Sequence, residues 1–215
     1  MARSAFDQVL PIAYGQGSHN EKIIHNYKNV ALKNGGHMLN SGNTGLMIVD
    51  VQGRLSTLMH DSESLFRQLR ILISGAKVLQ LPVIWMEQLP DKLGPTRAEI
   101  RDLLDGEPFV KNTFSGLQND AIAAKVKELN MANWLVAGLE AHVCVYQSVC
   151  DLLQQHAEVH LVTDAVSSRT QANRDLAINK MAAMGAQLTS TEMALFELQK
   201  VAEGEQFKRL INVLK

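Results

Sequence analysis

The chain after Met38 alternates between buried strands and amphipathic helices, and this alternation constrains its fold more than any other feature. Thr44–Val49 (TGLMIV) is continuously apolar, which is typical of a strand buried on both faces. Residues 62–79 follow with apolar side chains at helical spacing. Further strands are predicted at 82–86, 108–111, 134–137, 158–163 and 187–191, and helices at 96–104, 121–129, 142–155, 172–184, 193–201 and 205–214. The pattern predicts right-handed crossovers and an α/β fold, a three-layer sandwich around a mainly parallel six-stranded sheet.

Residues 1–37 differ from the rest of the chain because they show no sustained strand or helix period. They end at Gly35-Gly36-His37-Met38, a junction of the kind that a cloning site leaves behind. We therefore predict an N-terminal extension or fusion segment at 1–37 and a single folded domain at 38–215. A basic arm of this kind could contact RNA or a partner, but a tether or a surface-packed extension is the simpler interpretation.

Composition excludes several classes of protein. The formal net charge is −1 at pH 7, so no global basic surplus favours nucleic acid as a partner. The two cysteines, Cys144 and Cys150, cannot build a disulfide framework or a cysteine-based zinc site. No apolar stretch approaches the ~20 residues that span a bilayer, and no signal peptide is recognisable. These features predict a cytoplasmic globular protein without membrane contact.

Three side chains of complementary chemistry stand at the carboxyl ends of predicted strands. Asp50 follows the first strand, Lys111 ends the strand after Pro108, and Cys144 lies just past the turn that follows 134–137. Because ligands of open parallel sheets bind beyond the carboxyl ends of the strands, these three residues are expected to converge on one rim. A thiol in the first turn of a helix and beside an ammonium is expected to have a lowered pKa.

Each of these residues also has a structural interpretation. Asp50 could cap a helix or a turn, Lys111 could be a solvated charge, and Cys144 could be a small buried hydrophobe. Their joint position at one rim favours chemistry. Cys150, which lies six residues deeper in the same predicted helix, is interpreted as a core residue.

No other motif competes with this group of residues. The sequence contains no G-x-S-x-G elbow, no P-loop and no H-E-x-x-H pattern. The histidines after Met38 are dispersed, at His60, His142, His156 and His160. Only His142 is near the predicted rim, where a packing or capping role is simpler than metal ligation.

The motifs around the three residues resemble the isochorismatase-like cysteine hydrolase family, which includes nicotinamidases and carbamoylsarcosine amidohydrolase. The resemblance covers residues 44–214. It rests on the motifs MIVDVQ at 47–52, FVKNTFS at 109–115 and GLEAHVCV at 138–145. The segments at 87–88, 93–96, 164–169 and 195–198 are most similar to the isochorismatase domain-containing proteins, whose substrates are mostly unassigned.

The resemblance implies a role for each matching residue. Asp50, Lys111 and Cys144 match the Asp–Lys–Cys triad, in which the aspartate takes the thiol proton and the cysteine attacks a carbonyl. The backbone N–H groups of Glu140 and Cys144 match the oxyanion hole. The family also implies a cis peptide between Leu139 and Glu140. The implied neighbours of the substrate pocket are Gln52, Trp85, Gln88, Phe114 and Tyr146.

Two departures from the family pattern refine the expected chemistry. The namesake of the family hydrolyses a vinyl ether without relying on a cysteine here, so Cys144 favours acyl transfer on a small amide-like substrate through a thioester. The Asp-x-His metal cluster of nicotinamidases is missing from residues 85–96, so no metal and no other cofactor is expected. A homo-oligomer, a dimer or tetramer, is expected. The alternatives are hydrolysis of another labile bond, an RNA-associated protein and a catalytically silent scaffold.

Overall fold

The computed structural model describes residues 38–215, and the predicted N-terminal extension lies outside them. Six strands are present in this range: β1 (Thr44–Val49), β2 (Val83–Gln88), β3 (Phe109–Lys111), β4 (Asn133–Leu139), β5 (Glu158–Ser167) and β6 (Gln187–Thr189). The helices are α1 (Ser62–Val78), α2 (Pro90–Leu93), α3 (Ala98–Arg101), α4 (Asp120–Leu129), α5 (Tyr146–Gln154), α6 (Gln171–Ala183), α7 (Thr191–Gln199) and α8 (Gly204–Leu214). A π-helical turn, Ala141–Val145, precedes α5.

The strands form one parallel sheet in the order β3-β2-β1-β4-β5-β6. The order reverses at β1, where the chain moves from β3 back across the sheet to β4. Such a switch point opens a crevice above the carboxyl ends of the neighbouring strands. The predicted three-layer α/β fold with a six-stranded sheet is therefore confirmed.

Two hydrophobic cores cover the two faces of the sheet. One contains apolar residues of α1, α7 and α8, among them Leu69, Leu195 and Leu210. The other contains residues of α4, α5 and α6, among them Ile122, Val149 and Met181. Both faces of the central strands are thereby buried, which is why the sequences of β1 and β4 are mostly apolar without alternation. Within residues 38–215, no helix is long and apolar enough to cross a membrane.

The backbone near the end of β1 is unusual in two places, and both help to position the rim. Asp50 has φ 52°, a left-handed conformation that a non-glycine residue adopts at a cost. Gly138 of β4 has φ 124°, and a Cβ there would lie 2.1 Å from the Val49 carbonyl oxygen. Only glycine allows β4 to pass this close to the residue that precedes Asp50.

The boundaries differ from the sequence-based prediction where polar side chains satisfy each other. β5 continues past residue 163 because the Asp164 carboxylate accepts hydrogen bonds from the backbone and hydroxyl of Thr191. The helix predicted at 96–104 is shorter: α3 has Arg97 as its N-cap residue, and the Thr96 N–H donates to Glu87. Cys150 is half-buried rather than in the core, with its Sγ 3.7 Å from Met184 Sδ.

Candidate active site

A buried ion pair joins the ends of β1 and β3. The Lys111 Nζ atom lies 2.8 Å from Asp50 Oδ2, and the side chain of Lys111 is fully buried. Lys111 also donates to Gln88 Oε1 at 2.6 Å and contacts the carbonyl oxygens of Thr113 and Phe114 at 3.2 and 3.3 Å. Because all four neighbours are acceptors, Lys111 is a fixed ammonium rather than a proton acceptor.

The Asp50 carboxylate uses its two oxygens differently. Oδ2 accepts from Lys111, whereas Oδ1 is buried and has no hydrogen-bond partner among the described residues. Burial raises the pKa of Asp50, while the charge and hydrogen bond of Lys111 and the nearby Cys144 thiol oppose the rise. One carboxylate oxygen therefore holds the ammonium, and the other remains able to accept a proton.

Two glutamines hold the end of β2 beside the Asp50–Lys111 pair. Gln88 ends β2 and accepts from Lys111 through its side-chain oxygen. Gln52 is fully buried: its amide donates to the carbonyl oxygens of Gln88 and Gly94, and its Oε1 accepts from the Gln88 N–H at 2.6 Å. The structure therefore brings Gln88 to the Asp50–Lys111 pair, while Gln52 holds the end of β2 to the loop at Gly94.

The predicted nucleophile lies in the π-helical turn between β4 and α5. The Glu140 carbonyl accepts the N–H groups of Val143 and Val145 at 3.0 and 3.3 Å, and the N–H of Cys144 is not among its donors. In a regular α-helix that carbonyl would be bonded to Cys144. π-turns of this kind occur frequently at functional sites because they release a backbone group.

The electrostatics of Cys144 correct the expectation of a resting thiolate. Burial, and then the negative charge of Asp50, raises the pKa of the Cys144 thiol to about 12, although Lys111 opposes the rise. The helix dipole and the ammonium favour a lower thiol pKa, but burial and the Asp50 carboxylate outweigh them. The resting group is a thiol beside an acceptor.

The loop after Lys111 is attached to the helix that carries Cys144. The Ser148 hydroxyl donates to the Cys144 carbonyl at 2.8 Å and accepts the Gly116 N–H at 2.9 Å. One helical turn further, Asp151 accepts the Ser115 hydroxyl at 2.7 Å. These bonds fix the distance between the ammonium and the nucleophile.

A second ion pair lies at the ends of β4 and β5. Glu140 Oε1 lies 2.7 Å from Arg169 Nε, and the side chain of Glu140 is 8% exposed against 57% for Arg169. Glu140 Oε2 lies 3.4 Å from His142 Nδ1, which is itself 2.9 Å from the Ser168 hydroxyl. Sequence reasoning missed this group because the predicted strand ended at residue 163, whereas β5 runs to Ser167, two residues before Arg169.

Two further expectations need correction. The described peptide bonds are all trans, so the cis peptide between Leu139 and Glu140 is wrong. The turn is aimed instead by the positive φ of Gly138 and by the π-turn, which avoids the ~3–4 kcal/mol cost of a non-proline cis bond. Trp85 packs in the α1-side core and donates to the Asp105 carbonyl, because strand alternation turns it to the face opposite Cys144.

The remaining residues predicted to line the pocket are Phe114 and Tyr146. Phe114 is exposed, and its carbonyl contacts Lys111. Tyr146 starts α5, and its ring lies 4.8 Å from Lys180 Nζ. Within residues 38–215, no group of three or more His, Cys, Asp or Glu side chains is arranged to hold a metal ion.

Comparison with known proteins identifies the family. The model of the isochorismatase domain matches residues 44–193. A secreted isochorismatase effector of Phytophthora sojae is 34% identical over 79% of this chain and 83% of its own length. Isochorismatase family protein 1A of Dictyostelium discoideum is 32% identical over 80% of this chain and 86% of its own length.

Solved structures agree with this result. A structure titled MAR1 ribonuclease from Caenorhabditis elegans superposes with a TM-score of 0.77 at 31% identity, covering 83% of this chain and 92% of that one. An octameric hydrolase of unknown specificity from Escherichia coli shares the fold, with a TM-score of 0.79 at 22% identity over 83% of this chain and 90% of that one. The chain belongs to the isochorismatase family.

Proposed function

We propose that the protein is a cysteine hydrolase that cleaves the C–N bond of a small amide through a thioester on Cys144. The observation that carries the proposal is the divided Asp50 carboxylate, with one oxygen on Lys111 and the other free beside a buried thiol. Family membership supports hydrolase activity in general. The triad is argued from this geometry, and the amide substrate from the presence of a cysteine nucleophile.

The first half-reaction forms the thioester. As the substrate carbonyl arrives, Asp50 accepts the thiol proton and the sulfur of Cys144 bonds to the carbonyl carbon. The raised pKa of Asp50 favours this step, because a stronger base accepts the proton of a weakly acidic thiol more readily. Lys111 provides the positive charge that stabilises the thiolate as it forms.

The tetrahedral intermediate needs hydrogen-bond donors at its oxyanion. The Cys144 N–H, which the Glu140 carbonyl does not engage, is suited to this role, and we assign the Glu140 N–H as the second donor. Collapse of the intermediate breaks the C–N bond. Asp50 returns its proton to the leaving nitrogen, which departs as ammonia or an amine.

The second half-reaction releases the acid. Asp50 takes a proton from a water molecule, the resulting hydroxide adds to the thioester carbon, and the C–S bond breaks. The proton held by Asp50 returns to the Cys144 sulfur. Amide and water thus give acid and amine, and the site returns to a neutral thiol beside a carboxylate.

Assembly and location are part of the proposal. We propose a homo-oligomer, since the Escherichia coli relative in fold is described as octameric. Sedimentation of the protein at several concentrations tests this directly. The cytoplasmic location stays a prediction, because one relative is named a secreted effector.

The experiment is a screen of small primary amides in which ammonia release is followed with the wild type and four variants. C144A, D50N and K111A are expected to lose at least a hundredfold in kcat/KM, because each removes one member of the triad. C150A is the matched control and keeps its activity, since Cys150 lies outside the triad. Activity that survives C144A would refute the proposal. So would cleavage of an RNA substrate that C144A does not affect.

A further inference from the structure

We propose that Glu140 and Arg169 form a second functional ion pair, in which Arg169 acts through Glu140 to hold the oxyanion turn and to shield Cys144 from the Glu140 charge. Arg169 is thus a positioning residue. The inference rests on the proposed role of Cys144 as nucleophile. It concerns residues that the Asp–Lys–Cys triad leaves out.

The geometry ties the pair to the turn. Glu140 is the residue directly between β4 and the π-turn, and its carbonyl anchors that turn through Val143 and Val145. Its carboxylate is held from the neighbouring strand, at 2.7 Å from Arg169 Nε. The pair therefore joins the ends of β4 and β5 at the peptide that presents the oxyanion donors. A movement of Glu140 would move the Cys144 N–H with it.

The exposure of the two partners is asymmetric. The Glu140 side chain is 8% exposed, so its charge is poorly screened by water, whereas Arg169 is 57% exposed. A buried carboxylate that loses its cation retains a strong field, because a low-dielectric surrounding screens little. Arg169 supplies the positive charge that the buried carboxylate requires without itself entering the site.

The field of Glu140 acts in the direction that hinders catalysis. Three charged groups face the Cys144 thiol, namely Asp50 from β1, Lys111 from β3 and Glu140 from the end of β4. Glu87 faces Asp50 from β2. After burial and Asp50, the negative charge of Glu140 adds to the rise in the pKa of Cys144. An unshielded Glu140 would also oppose the negative charge that develops on the oxyanion.

A thiolate titration tests the pair without needing a substrate. The C150A background leaves Cys144 as the sole cysteine of the chain. Alkylation of Cys144 by iodoacetamide is followed by mass spectrometry between pH 8 and 10.5, where the rate is proportional to the thiolate fraction. E140Q, R169Q and E140Q/R169Q complete a double-mutant cycle. R209Q is the matched control, because it removes an exposed arginine from α8 on the opposite face of the sheet.

Opposite signs are expected for the two single variants. E140Q accelerates alkylation about three- to tenfold at fixed pH, which corresponds to 0.5–1 unit in the thiol pKa. R169Q slows alkylation by a similar factor, but changes it less than about twofold in the E140Q background. R209Q has no effect. On an amide substrate, E140Q lowers kcat even though its thiol is more reactive, because the oxyanion turn loses its attachment to Arg169. General damage to the site would lower both kcat and the alkylation rate.

Several results would overturn the inference. One is that R169Q changes the rate of Cys144 alkylation by the same factor with and without Glu140. Another is that Cys144 in E140Q is alkylated no faster than in the parent protein. If R169Q fails to fold, E140Q decides alone, because it removes a buried charge and leaves only the exposed Arg169 without its partner. Absence of a thioester on Cys144 would refute the proposed function instead, and that result is measured separately from this cycle.

Discussion

The substitution Lys111→Met tests the buried ion pair at the centre of the site. Methionine keeps the unbranched length of the side chain but removes the ammonium, so Asp50 stays buried without its cation. Removal of one partner from a buried pair costs about 3–5 kcal/mol. We therefore expect the free energy of unfolding to fall by about that amount at pH 7.

Protonation of Asp50 limits this cost and makes it depend on pH. Burial already raises the pKa of Asp50, and loss of Lys111 raises it further. If the variant folds with a protonated Asp50, the unfolded carboxyl must first gain a proton, which costs ~1.4 kcal/mol per pH unit above its pKa of ~3.9. Protonation of Asp50 thus limits the loss in the free energy of unfolding to about 4 kcal/mol at pH 7 and about 1.5 kcal/mol at pH 5. Because the folded pKa is raised, the variant is most stable below pH ~4 and loses stability as the pH rises.

Urea unfolding of the wild type and the variant at pH 5, 6, 7 and 8 measures the difference. The double variant D50N/K111M is the control, because it removes both charges, and we expect it to regain most of the lost stability with little dependence on pH. A loss below about 1 kcal/mol at pH 8, or an equal loss at pH 5 and pH 8, would show that Asp50 and Lys111 are not a buried, mutually dependent pair.

Three other predictions concern the frame of the site. Gly138→Ala places a Cβ 2.1 Å from the Val49 carbonyl oxygen at φ 124°, and we expect urea unfolding to show a loss of about 3 kcal/mol or more in the free energy of unfolding. Gly106→Ala is the control, because a Cβ there meets nothing within 4 Å, and it should cost far less. Equal losses in the two variants would contradict the crowding at Gly138. Ser148→Ala removes the hydroxyl that bonds to the Gly116 N–H and the Cys144 carbonyl, and in steady-state kinetics it should lower kcat more than it raises KM. An unchanged kcat would show that the loop after Lys111 needs no attachment to the helix that carries Cys144. Burial lowers the pKa of His160, so the unfolded chain binds more protons than the folded chain below pH ~6.5. The free energy of unfolding should therefore fall from pH 7 to pH 5, and H160N should flatten this dependence. A wild-type stability that does not change over this range would refute the role of His160.

Sequence reasoning predicted the fold and a shared rim for Asp50, Lys111 and Cys144 on the same physical grounds. Strands buried on both faces leave continuous apolar runs such as Thr44–Val49, and reactive residues at the ends of parallel strands must share one rim. Asp50 and Lys111 are 61 positions apart and lie 2.8 Å from each other at this rim. Spacing along the chain was sufficient wherever the sheet determines the geometry.

The expectations that failed depend on surroundings that spacing does not contain. The pKa of Cys144 depends first on how deeply the thiol is buried, which only the packed structure specifies. The family resemblance suggested Trp85 as a pocket neighbour, but strand alternation turns it to the opposite core. Glu140 and Arg169 follow two adjacent strands, and no motif in the sequence indicates that their side chains pair.

The proposed mechanism requires that Cys144 carries an acyl group during turnover. A rapid acid quench of the protein during hydrolysis of p-nitrophenyl acetate, followed by peptide mass spectrometry, measures this directly. The mechanism predicts one acetyl group on the peptide that contains Cys144, removable by hydroxylamine, and no adduct in D50N on the same timescale. Product release with no acetyl group on Cys144, or with acetylation of Cys150 at the same rate, would contradict the thioester mechanism.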